Sequence, residues 1–391
     1  MTFQTSEYVQ SSVSKGEYNL GVGQPSPQLL PLALFYSANR NDIKDSTFLQ
    51  YTYKQGYPSF RQALASLLSF ETGDQVSENE LMITAGNSSA IHLIGTQIAS
   101  TCEVPPVAVV ESPTYRFAAE ILKGCGFQLV EVPVDKEGLV VEELERLLIA
   151  EKLRPAVVFT IPSFHNPTGV TLTQARRQRL IQLANDYHFV IVADEAYQLL
   201  NYSGNHCEAA FASEDSTDNG VVFTLGTFSK IFAPGIRLGW IQARPQLLKG
   251  LLEHPLLVSG GGMNSVMAGW IEPLLENGSL QSHLNQLRQE LSSRCECLYR
   301  AVQHYIPEIT LSTKPRGGYF IWCKLPDNRD SSALCEVAQR KYQVSFLPGT
   351  KCNTSSDYFR LCFAFYTSEE LEKAIELLAL AYTESTTDLR I

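Results

Sequence analysis

Three residues in this chain of 391 stand where an ordinary core or surface would not put them: Lys230, Asp194 and Arg360. Lys230 lies in Val221 to Trp240, VVFTLGTFSKIFAPGIRLGW. The apolar, β-branched run Val221 to Leu225 predicts a short buried strand that Gly226 breaks, and Thr227, Phe228 and Ser229 lead from it into the lysine. Arg237 follows Pro234 and Gly235. An amine set among hydroxyls, with a guanidinium nearby and glycines that let backbone come close, suits a nucleophile working beside a phosphate. The same stretch also reads as a surface loop with ordinary positive charges. Asp194 closes the apolar strand predicted over Phe189–Ala193, where a carboxylate is costly unless it meets a cation. It also reads as an N-cap for the residues that follow. Arg360 interrupts an apolar strand, Tyr358–Phe365; such an arginine usually has a carboxylate partner, and a bidentate one fits best.

The elements that position these residues follow from the hydrophobic pattern. Leu81–Ala85 predicts a strand, Gly86-Asn87-Ser88-Ser89 a turn and Ala90–Ile98 a helix. That order offers free backbone N–H groups to an anion. Val107–Val110 is a second strand, and Tyr115 just beyond it is placed to stack on a flat ring. Phe127–Val134, a helix over about 141–152 and the strand Ala156–Ile161 continue the alternation. Asn166-Pro167-Thr168-Gly169 comes next, by itself a common turn, before the helix Ala175–Tyr187. This alternation predicts an α/β fold with a mostly parallel sheet and ligands at the carboxyl ends of its strands, where Asn166, Asp194 and Lys230 fall. Beyond Gly262 the pattern turns to a long helix (Leu280–Tyr305), short strands near Phe320–Cys323 and Tyr358–Phe365, and a closing helix over Ser368–Tyr382. That is the profile of a smaller α+β domain. Residues 1–20 read as an irregular arm, followed by Gly21 and Gly23, which make a simple turn or let backbone approach a ligand.

Bulk properties narrow the function. Apolar residues at 44% and charged residues at 18% describe a globular protein with a large core. A formal charge of −10 argues against nucleic-acid or anionic-membrane partners. The N-terminal stretch lacks a signal-like apolar core, and no apolar run is long enough to span a bilayer, so a cytoplasmic location is expected. Nine scattered cysteines read as reduced thiols. Neither Cys295-x-Cys297 nor the seven histidines have metal-ligand spacing, and no metal is expected.

The run T-F-S-K-x-x-x-P-G-x-R-x-G around Lys230 resembles the lysine segment of class I/II aminotransferases, pyridoxal 5'-phosphate enzymes of fold type I. L-Q-Y-x-x-x-x-G-Y-P-x-x-R-x-A-L-A, from Leu49, is similar to a segment of the 2-aminoadipate and kynurenine aminotransferase branch. Pro315-Arg316-Gly317-Gly318-Tyr319-Phe320 and Phe346-Leu347-Pro348-Gly349 match further family signatures. The resemblance runs from about Gly21 to Phe365. It implies that Lys230 bonds the cofactor as a Schiff base and then moves the substrate's proton, and that Asp194 faces the pyridine nitrogen. A carboxylate about 4 Å from that N–H⁺ contributes about 4 kcal/mol at an effective dielectric of about 20. It further implies that Tyr115 covers the ring and that Asn166 and Tyr197 hydrogen-bond its phenolate oxygen. The phosphate is expected at Gly86, Asn87, Ser88, Thr227, Ser229 and Arg237, joined by Tyr51 across a homodimer interface. Asn87-Ser88-Ser89 departs from the commoner Ser-Gln-Gln of the family. Arg360 is expected to hold the substrate's α-carboxylate, with Gly23 and Asn166 alongside.

On this reading residues 1–45 form an arm and part of the small domain, 46–275 the large cofactor-binding domain and 276–391 the small domain. The expected reaction moves an amino group from a dicarboxylic, aromatic or aliphatic L-α-amino acid to a 2-oxo acid such as 2-oxoglutarate. Lyases, decarboxylases and oxidases that use the same cofactor chemistry are the alternative. The same branch also contains regulators with an N-terminal helix-turn-helix; motifs beginning near Gly21, and the acidic charge, argue against that reading. Side-chain choice is expected to rest on Gly23–Pro27 and Ser259–Asn264, and loop changes alone can retarget the fold.

Overall fold

The computed structural model describes residues 16–38, 46–204 and 206–387. Tyr18–Asn19 forms β1, so the arm is not irregular throughout; residues 1–15 lie outside the described residues. The following strands are β2 (Leu81–Thr84), β3 (Val107–Ser112), β4 (Gln128–Asp135), β5 (Gly138–Leu139), β6 (Val157–Thr160), β7 (Val190–Asp194), β8 (Val222–Thr227) and β9 (Gly239–Gln242). Together they make one sheet in the order β2-β9-β8-β7-β6-β3-β4-β5. Neighbours from β4 through β3, β6 and β7 to β8 run parallel. β9 runs against both β8 and β2, and β5 against β4. The carboxyl ends of β2, β3, β6, β7 and β8 therefore share one edge, the place where an α/β sheet binds ligands.

Strands such as Leu-Met-Ile-Thr and Val-Val-Phe-Thr are buried at every position, as expected for a sheet covered on both faces. Successive side chains feed opposite layers. Ala108, Val110, Phe159 and Val192 pack with the helices Asn87–Ala99 and Arg116–Gly124, whereas Val109, Val158, Ile191 and Ala193 pack with Val141–Ala150 and Gln174–Tyr187.

Two local expectations change. Gly226 does not break its strand: β8 continues to Thr227, because Gly226 pairs with Trp240 on β9 and the indole lies across it. A Cβ there would sit 2.0 Å from Trp240 Cε2. The glycine makes room for a ring. The turn expected at Gly86–Ser89 is shorter than predicted, since the helix starts at Asn87 with Gly86, at φ +90°, as its N-cap.

A second sheet, β10 (Thr310–Leu311), β11 (Phe320–Lys324), β14 (Tyr358–Cys362) and β13 (Leu347–Pro348), is antiparallel. It packs with the long helix Ser279–Tyr305 and the helix Ser368–Thr387 in one core. β12 (Val344–Ser345) pairs in parallel with β1, which ties the start of the described chain to this C-terminal layer. All nine cysteines are free. Among the described residues no cluster could hold a metal ion, and no helix is long and apolar enough to cross a membrane.

Candidate active site

The carboxyl ends of β2, β3, β6, β7 and β8 and the segment after β1 converge on a cavity of about 270 Å³. Asp194, the last residue of β7, is buried there. Its Oδ1 accepts a 2.6 Å hydrogen bond from Asn87 Nδ2, which also donates to the Leu225 carbonyl at 3.3 Å. Burial pushes the Asp194 carboxyl up to about 6, against the pull of Asn87, the Ala196 N–H and the charge of Lys230. The cation expected beside it is not in ion-pair contact; among the described residues its direct partners are neutral donors. Asn87 thus faces the carboxylate, and its own Oδ1 is buried without a partner among the described residues.

Lys230 lies in a one-turn helix, Phe228–Ile231, directly after β8. Thr227 caps that turn by accepting from Ser229 N–H at 3.1 Å, which holds the lysine facing the cavity. Its Nζ donates to the Gly23 carbonyl at 2.8 Å and lies 5.8 Å from the Tyr197 ring centroid and 5.6 Å from that of Tyr319. Tyr319 in turn donates its hydroxyl to the Lys230 carbonyl at 3.0 Å. Burial lowers the Lys230 amine to about 8; Cys362 opposes that shift and Arg360 adds to it. Arg237 reaches back across the turn, donating to Ser229 Oγ at 3.5 Å and the Pro234 carbonyl at 3.0 Å. Tyr115 caps the helix after β3 and lines the cavity with Tyr197; burial raises both hydroxyls above their ordinary range.

Arg360 sits on β14 with its guanidinium 4.0 Å from the Phe320 ring centroid. It donates to Asn166 Oδ1 and to the Gly21 carbonyl, both at 2.5 Å, and its Nε is buried without a partner among the described residues. No carboxylate among the described residues meets it, contrary to the usual rule for a buried arginine. Asn166 is itself braced from behind. His165 Nδ1 accepts from Thr168 N–H at 3.3 Å, so Nε2 carries the proton and donates to Glu111 Oε2 at 3.1 Å. Glu111 also accepts from Thr160 Oγ1 at 2.6 Å and Ile161 N–H at 2.8 Å.

Of the residues singled out from sequence, Gly23, Asn87, Ser88, Tyr115, Asn166, Asp194, Tyr197, Thr227, Ser229, Lys230, Arg237 and Arg360 all line this one cavity. Gly86 stands just behind it, where a Cβ would lie 3.0 Å from Arg237 Nη2. Tyr51 is not brought in: it is 84% exposed on the chain's own surface. The segment Ser259–Asn264 is not at this cavity either; Gly261 and Gly262 pack on the backbone of Thr52 and Tyr53. Sequence reasoning missed Glu111, His165, Phe320 and Lys351. Glu111 carries the same signal as Asp194, an acid at the end of an apolar run.

The model of the family "Aminotransferase class I and II" matches residues 15–378, and the chain belongs to that family. An aromatic-amino-acid aminotransferase of Thermococcus litoralis is 32% identical over 92% of this chain and 87% of its own length. A kynurenine aminotransferase of Pyrococcus horikoshii, solved with PMP, is 29% identical, with a TM-score of 0.83 over 98% of this chain and 97% of that one. An uncharacterized HTH-type transcriptional regulator of Bacillus subtilis is 26% identical over 97% of this chain and 76% of its own length. The architecture is that of fold type I, and the reaction is transfer of an amino group. The family and its solved members imply pyridoxal phosphate as cofactor, and amino and oxo acids as substrates; the lyase, decarboxylase and oxidase alternative is not favoured.

Proposed function

We propose that this chain holds pyridoxal 5'-phosphate at Lys230 and moves an amino group from an L-α-amino acid to a 2-oxo acid such as 2-oxoglutarate. The observation that carries the reading is a set of complementary open valences in one cavity. A buried carboxylate and an arginine Nε that have no ion-pair or hydrogen-bond partner, respectively, among the described residues face the same space as a desolvated lysine. Each fits one part of the cofactor or the substrate. Asp194 suits a ring N–H⁺, Lys230 an aldehyde carbon, and Arg360 a carboxylate fork. When bound, the cofactor supplies the electron sink that makes the substrate's Cα–H acidic.

The chain's own residues do the rest. Tyr115 covers one face of the ring, and Asn166 and Tyr197 address its oxygen. Ser88, Thr227, Ser229 and Arg237, with Gly86 and Asn87 at the helix start, hold the phosphate. Arg360 fixes the α-carboxylate and so orients the Cα–H bond toward Lys230, which accepts the proton at Nζ and returns it. We read residues 1–45 as an arm with part of the small domain, 46–275 as the large domain and 276–391 as the small one; the β1–β12 pairing supports joining the arm to the small domain. We place the protein in the cytoplasm as a homodimer, with Tyr51 completing the partner's phosphate site. Large exposed side chains at Leu49, Tyr51, Tyr53, Leu256 and Val258 support such an interface.

The test is single-turnover spectroscopy of the cofactor-loaded protein. One class of amino acid converts the visible band to that of the amine form, and a 2-oxo acid restores it. Lys230→Ala loses both changes. A variant that turns over like the parent overturns the assignment.

A further inference from the structure

The cavity carries more positive charge than the reaction at its centre uses. Arg116, Lys230, Arg237, Lys351 and Arg360 line it against one carboxylate, Asp194, in a chain whose formal charge is −10. Lys230, Arg237 and Arg360 are engaged by the reading above. Lys351 is not, and it makes no hydrogen bond or ion pair with any described residue.

Its position is built, not incidental. β13 places Leu347 opposite Arg360, and the chain then turns through Pro348 and Gly349 into the short helix Gly349–Cys352. Two hydrogen bonds fasten that turn to the other wall of the cavity: Thr114 N–H to the Cys352 carbonyl at 3.3 Å, and Ser112 Oγ to the Asn353 carbonyl at 2.7 Å. Cys352 itself is buried close enough to Arg360 for the guanidinium to draw on its thiol. Lys351 is therefore carried on a loop clamped between Arg360 and the Tyr115 end of β3. Lys351 and Arg360 thus face one cavity from neighbouring parts of the same layer, so one wall can serve both ends of a substrate. A free ammonium there, with Arg116 adding its charge, favours a terminal anion.

We propose that Lys351 receives the distal carboxylate of a dicarboxylic amino acid, and of the 2-oxo dicarboxylate that accepts the amino group, so that this site takes acidic substrates in both half-reactions. The proposal rests on the aminotransferase reading of the cavity. One charge-assisted hydrogen bond at a solvent-facing lysine is worth about tenfold in binding, the low end of its range.

The experiment compares ligands that differ only in that distal carboxylate, on the cofactor-loaded protein. Glutamate against norvaline gives the ratio of kcat/KM, and glutarate against pentanoate gives the ratio of dissociation constants. In the parent both ratios favour the dicarboxylate. In Lys351→Met both fall about tenfold, through KM and binding more than through kcat, with cofactor spectrum and melting temperature unchanged; Lys351→Arg retains them. A parent that prefers norvaline, ratios unmoved in Lys351→Met, or a loss seen only in Arg116→Met overturns the proposal. A protein whose cofactor band responds to neither amino acid overturns the underlying reading, a result distinct from the others.

Discussion

An ordinary lysine titrates near 10.5, and burial brings Lys230 to about 8. At pH 7.5 that raises its free-base fraction about 200-fold over an exposed lysine. Only the free base attacks an aldehyde. Cofactor uptake by the apo-protein is thus expected to speed up with pH through about 8 and then level off; a rate that keeps climbing toward pH 10, in stopped-flow absorbance, contradicts the shift. Asp194 makes the opposite trade. Its carboxyl binds a proton more tightly folded, at about 6, than unfolded, near 3.8. Below the lower value both states are protonated and above the upper both are ionised, so the apo-protein loses stability as pH rises between them. The loss is about 3 kcal/mol at pH 7, from about two pH units at 1.4 kcal/mol each. Apo Asp194→Asn is expected to melt higher than the parent at pH 7 but not at pH 3.5, while retaining cofactor poorly. Calorimetry of the apo-proteins decides, and a variant that melts no higher at pH 7 refutes the account. Both residues were legible in the sequence because a charge at the end of an apolar run is anomalous wherever it occurs. Lys351 was not, for it stands in a polar loop where a lysine is unremarkable, and only the clamp to Ser112 and Thr114 gives it a place.

At the scale of elements, the edge that carries the site is held by packing that short sequence windows do not display. Gly226 looked like a strand breaker because glycine usually is one. Its reason lies on β9, where Trp240 fills the space over it. Gly226→Ala must push the indole or part β8 from β9, which is expected to destabilise the protein by about 3 kcal/mol or more. Urea unfolding checks this, and Gly226→Ala with parental stability removes the argument. The brace behind Asn166 was invisible for a like reason: Glu111 lies on β3 and His165 in the loop after β6, and they meet only when β3 and β6 pair. Glu111→Ala leaves the His165 N–H, Thr160 and the Ile161 N–H without their acceptor. It is expected to cost about 1–3 kcal/mol in stability and to lower kcat by loosening Asn166; a variant that loses stability with an unchanged kcat assigns Glu111 to the core alone. The main strands and helices were readable from the alternation of patterns; the two-residue strands β1, β5, β10, β12 and β13 and the helices Pro245–Leu251 and Ser265–Glu276 were not. Element ends, set by caps and neighbours, moved by a residue or several.

At the scale of the molecule, the question is whether one chain makes a whole site. Tyr51 is exposed on its own chain, so any contact with a cofactor must come from a second copy. Mixing Tyr51→Ala with Lys230→Ala chains after unfolding is expected to regenerate activity, because a mixed dimer pairs the lysine of one chain with the tyrosine of the other. About a quarter of the sites should be complete after random reassortment in a C2 dimer. No recovery, with mixed dimers verified by mass, confines Tyr51 to its own subunit.

The segment after β1 adds a kinetic consequence. Its Gly21 and Gly23 carbonyls are bonded to Arg360 and Lys230, the two groups proposed to take the substrate's carboxylate and the cofactor's aldehyde. Arrival of the cofactor at Lys230, and of a substrate carboxylate at Arg360, is therefore a partner exchange in which main-chain acceptors hand over their donors. Departure runs the exchange backwards, so the strap that gives way on entry also helps to expel the product.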